Sequence, residues 1–173
     1  MWRDYFSIGC IYGLDIEDKS NQASERIKIY QGSQEDYNVL LRMHNESGGF
    51  DLIVDDGSHV NRHVIQTFSM LFPLLKSGGI YAIEDLQTAY WPNYGGTIDR
   101  GSSRETSMSF LKSLVDGLNF SEFHRPEISP SLFERSIVSI HFYHNLCFLY
   151  KGANDEQSNI VQNNRAPPYL LQE

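Results

Sequence analysis

The chain has 173 residues, 40% of them hydrophobic, with 10 Tyr, 10 Phe and 2 Trp, enough apolar material for one folded domain rather than a disordered chain. A net charge of −8 and a pI near 5.2, with no basic stripe, argue against nucleic acid or an anionic membrane surface as partner and suit a cationic ligand or metal ion better. No apolar run approaches the roughly 18 to 20 residues that span a bilayer, and "MWRDYFSIGC" lacks the basic start and apolar stretch of a signal peptide, so a soluble cytoplasmic protein is expected. Cys10 and Cys147 have apolar neighbours and no metal-ligand spacing, the pattern of two buried free thiols in a reducing compartment.

In chain order, 10–16 ("CIYGLDI") and 27–32 ("IKIYQG") read as strands that end in polar or glycine turns. Residues 33–47 read as a helix capped by Ser33 and stopped at Gly48-Gly49. The apolar run 50–56 ("FDLIVDD") has buried-strand length. Residues 60–79 carry Val60, Val64, Phe68, Leu71 and Leu75 at helical spacing, with Pro73 bending the last turn. A further buried strand covers 79–86 ("GIYAIEDL"). An aromatic and glycine-rich loop, 87–103, leads to a helix over about 104–118. Residues 136–152 read as two strands turning near His144-Asn145. The remainder, 153–173, is polar and Asn/Gln-rich and reads as a flexible tail behind a 1–152 domain.

Strands alternating with helices, and strands that are apolar almost throughout, predict an α/β fold with a mostly parallel sheet covered on both faces. The terminal hairpin adds antiparallel strands. Such sheets bind ligands beyond the carboxyl ends of their strands. Asp55 and Asp56 end one strand there, and Glu84 and Asp85 end the next, 28 positions on from Asp56. Neighbouring strands lie about 4.8 Å apart, so the four carboxylates converge on one rim. Each acid alone could simply cap the following turn. Together they repel one another unless a cation or a proton relieves them, and oxygen ligands favour a hard ion such as Mg²⁺.

His59 is expected in the first turn of the following helix, where the helix dipole disfavours its protonated form and suits it to accept a proton. His63, one turn on, reads as a surface or packing residue. The His59–His63 spacing lacks the adjacent glutamate of a zinc protease helix. Asp15, at a strand end, is the kind of acid that accepts hydrogen bonds from ribose hydroxyls. Ser33 and Gln34, in "QGSQED", could frame an adenine or equally cap a helix. Tyr90 and Trp91 could stack on a sugar ring or pack a lid.

Taken together, "MWRDYF", "IYGLDIEDK", "QGSQED", "FDLIVDDGSH", "LKSGGIYAIEDLQTAYW" and "SIHFYHNL", in this order over residues 1 to about 152, resemble the class I S-adenosylmethionine-dependent methyltransferases. The match is to the metal-dependent macrolide-sugar O-methyltransferases of the mycinamicin and tylosin type. "DDGSH" followed by "ED" is its most specific part. The resemblance implies a Rossmann-like sheet and, as cofactors, S-adenosyl-L-methionine and Mg²⁺ held by Asp56, Glu84 and Asp85. It implies His59 as base, Asp15 on the cofactor ribose, the turn of Ser33 and Gln34 near its adenine with Asp55 also on the cofactor side, and a sugar-like hydroxyl acceptor beside Tyr90 and Trp91. It leaves homo-oligomerisation open.

The family pattern also has a first, central strand and a glycine-rich loop ahead of "MW", with no counterpart in these residues. The expectation is a fragment or mis-started frame of the enzyme, or a degenerate relative, in which the strands ending at Asp15 and Asp56 lack their shared neighbour. A non-catalytic methyltransferase-like protein, and another metal-dependent enzyme on this fold (a hydrolase or a cephalosporin-hydroxylase-like protein), are the alternatives.

Overall fold

A computed structural model describes residues 1–99, 105–123, 127 and 129–156; most of the tail read from the sequence, from 157 on, lies outside the described residues. After a single-turn helix α1 (Trp2–Tyr5) come β1 (Ile11–Asp15), β2 (Ile27–Gln31), α2 (Tyr37–Ser47), β3 (Phe50–Asp55), α3 (Asn61–Leu71) and β4 (Leu75–Ile83). Then follow α4 (Ser107–Gly117), α5 (Leu132–Ser136), β5 (Ile137–Tyr143) and β6 (Leu146–Lys151). The α/β class, the parallel strand pairs and the terminal hairpin are as expected. The hairpin turns at His144-Asn145, between the paired Tyr143 and Leu146, with Asn145 at φ 61°.

The strands form two sheets rather than one. β1 and β2 pair in parallel, while the second sheet runs β3-β4-β6-β5, parallel between β3 and β4 and antiparallel beyond. Between β1 and β3 lies a cavity of about 700 Å³, lined by Tyr12, Gly13, Leu14 and Asp15 on one side and by Phe50, Leu52, Ile53, Val54 and Asp55 on the other. This is the separation expected of two strands without a common neighbour.

The core belongs to the four-stranded sheet. Phe68 of α3 is fully buried and stacks on Phe72 (centroids 4.9 Å apart), with Tyr81, Phe110 and Phe133 within 5.5 Å. Ile53, Ile83, Cys147, Leu149 and Ile137 complete this layer. The expectation that both faces are covered needs correcting. Leu52, Val54, Ile80, Phe148 and Tyr150, which alternate with the core residues, are only half-buried, with Ala82 alone among them buried, so among the described residues the core lies mainly on the other face.

Three local expectations are also revised. The helix expected to run to Gly79 stops at Leu71, passes through one 3-10 turn (Phe72–Leu74) and becomes strand at Leu75. Pro73 has no N–H to continue a helix. Leu75 is buried from either conformation, which is why its spacing looked helical. The carbonyls of Phe72, Pro73 and Leu75 receive the Lys151 ammonium at 2.9, 2.9 and 2.6 Å, a remote cation for groups that a helix end leaves open. The cap of α2 is Asp36, whose carboxylate accepts from the Asn38 and Val39 N–H groups, not Ser33. Cys10 is exposed; only Cys147 is buried, and burial pushes its thiol up to about 12.

Candidate active site

β3 and β4 run in register so that Asp55 lies opposite Ile83, and the Glu84 N–H donates to the Asp55 carbonyl at 3.0 Å. The ladder therefore extends to the tips, and the two acid pairs leave adjacent strands at the same level. From there the backbone turns sharply. His59 has φ 56° and Asp85 φ 53°, two of the three described non-glycine residues in the left-handed region. Such backbone is unfavourable for side chains other than glycine and persists where the surroundings enforce it. These turns bring the side chains together: Asp56, His59 and Asp85 each offer a ligand atom, all within 4.8 Å of one another. His59 Nε2 lies 3.5 Å from Asp85 Oδ2 and 3.8 Å from Asp56 Oδ1. Gln87 Nε2 donates to the other Asp85 oxygen at 3.0 Å.

Two expected features differ. His59 stands outside α3, which begins at Asn61 behind Val60, so the helix-dipole argument does not reach it as framed. Glu84 is half-buried at its strand tip, and its carboxylate is not part of the close group of Asp56, His59 and Asp85. At Asp85 the backbone is left-handed, and that side chain lies beside His59 instead.

The residues expected around a cofactor share one space. Asp15, Ser33, Gln34 and Asp55 all line the cavity between β1 and β3, with Asp56 and Ser58 at its edge. The Asp15 carboxylate accepts from the Glu17 N–H at 2.8 Å, and the Ser33 hydroxyl from the Glu35 N–H at 3.2 Å. The Gln34 amide is committed to the protein: Nε2 donates to Asp55 Oδ1 (3.3 Å) and Thr67 Oγ1 (3.0 Å), and Oε1 accepts from the Ser58 N–H (2.6 Å). Gln34 therefore braces the loop that carries Asp56 and His59. Asp55 is 7% exposed, and burial pushes its carboxyl up to about 6 against the opposing pull of the Gly57 N–H and His59. The buried Tyr81 hydroxyl lies beside it, raised well above its usual range by burial and then by that acid.

Tyr90 and Trp91 do not line this cavity. They sit on the 3-10 turns after Asp85, 44% and 49% exposed, with Trp91 5.9 Å from Tyr94. His63 joins Ser58 Oγ (2.8 Å) to Glu35 Oε2 (3.2 Å) and so ties the loop to α3.

No family model matches the sequence. Demethylmacrocin O-methyltransferase of Streptomyces fradiae is 48% identical over 159 residues, which cover 90% of this chain and 40% of that protein. Mycinamicin VI 2''-O-methyltransferase of Micromonospora griseorubida is 47% identical over 157 residues, covering 90% of this chain and 39% of that one. The MycE methyltransferase from the mycinamycin biosynthetic pathway, solved in complex with Mg and SAH, superposes with a TM-score of 0.89 at 44% identity, over 99% of this chain and 44% of its own. Over nine tenths of its residues the chain is similar to these O-methyltransferases. It spans about two fifths of the length of the curated relatives it matches.

Within this methyltransferase-like frame, sequence reasoning passed over three groups that build the site. Asn61, 2% exposed, donates from Nδ2 to the Thr88 and Tyr94 carbonyls and accepts at Oδ1 from Ser107. Tyr81 sits against Asp55, and Thr67 holds Gln34. Asn61 and Thr67 stand in no motif, and Tyr81, though inside "LKSGGIYAIEDLQTAYW", carries no signal of its own there. A polar residue inside an apolar helix stripe, such as Thr67 beside Phe68, is the one local hint.

Proposed function

We propose that this chain carries the metal- and base-bearing part of an S-adenosylmethionine- and Mg²⁺-dependent O-methyltransferase, acting in the cytoplasm on a hydroxyl of a sugar or sugar-decorated natural product. One observation carries the reading: a carboxylate–imidazole–carboxylate group within 4.8 Å at the tips of two parallel strands, beside a cavity lined by Asp15, Ser33, Gln34 and Asp55. Its support from relatives is that MycE was solved with Mg and SAH, and also with mycinamycin VI.

The residues fit such groups. Asp56 and Asp85 are exposed enough to exchange water for an ion, lie close enough to repel without one, and offer the oxygen donors that hard divalent ions prefer. Glu84, next to Asp85 at the same strand tip, would be the third acid of such a site. When bound, the ion would supply positive charge that eases loss of a proton from an acceptor hydroxyl, and S-adenosylmethionine would supply an activated methyl group. The protein's part is to hold and orient. Asp56, Glu84 and Asp85 fix the hydroxyl's position, and His59 Nε2, beside the acids, takes its proton. Asp15 holds the ribose at the end of β1, the Ser33 turn and Asp55 frame the rest of the cofactor, and Tyr90 and Trp91 face the acceptor.

A second reading of one residue rests on the same geometry. His59 Nε2 is as close to both acids as a shared ligand would be, which makes the imidazole a metal donor rather than a base. Thermal melts with Mg²⁺ and Mn²⁺ decide both points. Asp56→Ala and Asp85→Ala should remove the ion-induced stabilisation, and wild-type ion responses in both variants would overturn the metal site. His59→Ala should keep the ion response if His59 is the base and lose it if His59 is a ligand. Calorimetric titration with S-adenosylmethionine tests the cofactor side: binding that Asp15→Ala weakens supports the enzyme reading, and none at all favours a non-catalytic protein.

A further inference from the structure

The two strained residues of the site lie 26 positions apart in the chain, His59 and Asp85, both in the left-handed region. One buried side chain connects them. Asn61 follows His59 by two residues, and its Nδ2 donates to the Thr88 carbonyl at 3.1 Å and the Tyr94 carbonyl at 2.9 Å. Thr88 in turn donates twice to the Asp85 carbonyl, from Oγ1 at 3.0 Å and from its N–H at 3.2 Å. On its other side, Asn61 Oδ1 accepts from the N–H and hydroxyl of Ser107, the first residue of α4, at 2.7 and 3.0 Å.

This arrangement specifies asparagine. Two carbonyls on one side demand donors, and an N–H with a hydroxyl on the other demands an acceptor; only a primary amide of this length offers that split. Aspartate has the same shape but would aim an oxygen at two carbonyls. Leucine would leave every partner without a bond in a site from which water is excluded.

We propose that Asn61 is a positioning residue that fixes the spacing between the loop bearing Asp56 and His59 and the left-handed turn bearing Asp85. It touches no reacting atom. It acts through Thr88, whose grip on the Asp85 carbonyl keeps that backbone in φ 53°, ψ 40°, and so keeps the carboxylate turned toward His59. The inference rests on the metal-site reading proposed above.

The test measures Mn²⁺ affinity by electron paramagnetic resonance on the 173-residue chain, at low temperature, with folding of each variant checked by circular dichroism. Asn61→Asp and Asn61→Ala should weaken Mn²⁺ binding by about tenfold or more, the usual scale for groups that orient metal ligands. Thr88→Val, which removes only the hydroxyl bond to Asp85, should weaken it several-fold. Ser107→Ala, which leaves both loop carbonyls held, should change it less than about twofold. A lowered melting point with unchanged Mn²⁺ affinity in folded Asn61 variants means that Asn61 is only structural, and overturns the proposal. If neither Asn61 variant folds, Thr88→Val decides, and an unchanged affinity there overturns it equally. A wild type that takes up no Mn²⁺ sinks the metal reading instead. The inference is then judged by the His59 ring signals in NMR: Asn61→Asp should shift them, and unmoved signals overturn it.

Discussion

The two sheets carry the two sides of the site and are built differently. In the four-stranded sheet, the acids and His59 stand at the ends of β3 and β4 and in the loops that follow, and the inner face of those strands is sealed by the fully buried Phe68, Phe72, Tyr81 and Leu149. In the two-stranded sheet, only Tyr30 is buried, at 9% exposed, and every residue of β1 is half-buried. The acid side is thus held by a closed core and by buried polar clamps. The side expected to hold a cofactor is a wall of a cavity. A site that must keep like charges together needs rigid backing, whereas a site that admits a large ligand must leave space.

The largest effect that can break this comparison comes from Phe68→Ala. It should cost about 3 to 5 kcal/mol, a large share of the roughly 5 to 15 kcal/mol that stabilises a whole domain, and denaturant titration should show it. A loss under about 1 kcal/mol would mean the core does not carry the fold.

Next comes Asp55. Its folded pKa, about 6, lies above the ordinary value of 3.8, so the folded state holds the proton more tightly than the unfolded one. The sign follows: the penalty is absent below about 3.8, grows as pH rises through the interval, and is complete above about 6. Asp55→Asn should therefore match wild-type stability near pH 4 and exceed it by up to about 3 kcal/mol at pH 8, since each pKa unit is worth about 1.4 kcal/mol. Parallel pH–stability curves for the two proteins would show that Asp55 is not the buried acid argued above.

On the open side the effects should be smaller. Ile29→Ala in half-buried β2 should cost about 1 kcal/mol, and hydrogen exchange should find the β1–β2 amides opening at lower free energy than those of β4 and β6. Equal protection in both sheets would erase the contrast. The smallest effect belongs to Trp91→Ala, which should leave stability within about 0.5 kcal/mol because the ring is 49% exposed. If Trp91 serves an acceptor, calorimetry with a glycosylated macrolide should register its loss while the melting curve does not.

What the sequence determined by itself was the order of the pieces. Short β-rich runs ending in polar or glycine turns marked 10–16 and 27–32 as strands, the apolar run 50–56 marked a third, and the two acid pairs stood where apolar runs end. The His144-Asn145 turn and the family words were equally local. The tertiary structure decided the rest. Leu75 is buried equally by a helix or a strand, so its spacing could not show which of the two Pro73 would hand over to. His59 left the helix, and Asp85 rather than Glu84 turned toward it, in left-handed backbone flanked by bonds from elsewhere: the Ser58 N–H to Gln34 just before His59, and the Leu86 N–H to the Asn145 carbonyl just after Asp85. Asn61 meets Ser107 across 46 positions, and Gln34 meets Thr67 across 33. A buried polar side chain is chosen by partners that distant, and no window of neighbouring residues contains them.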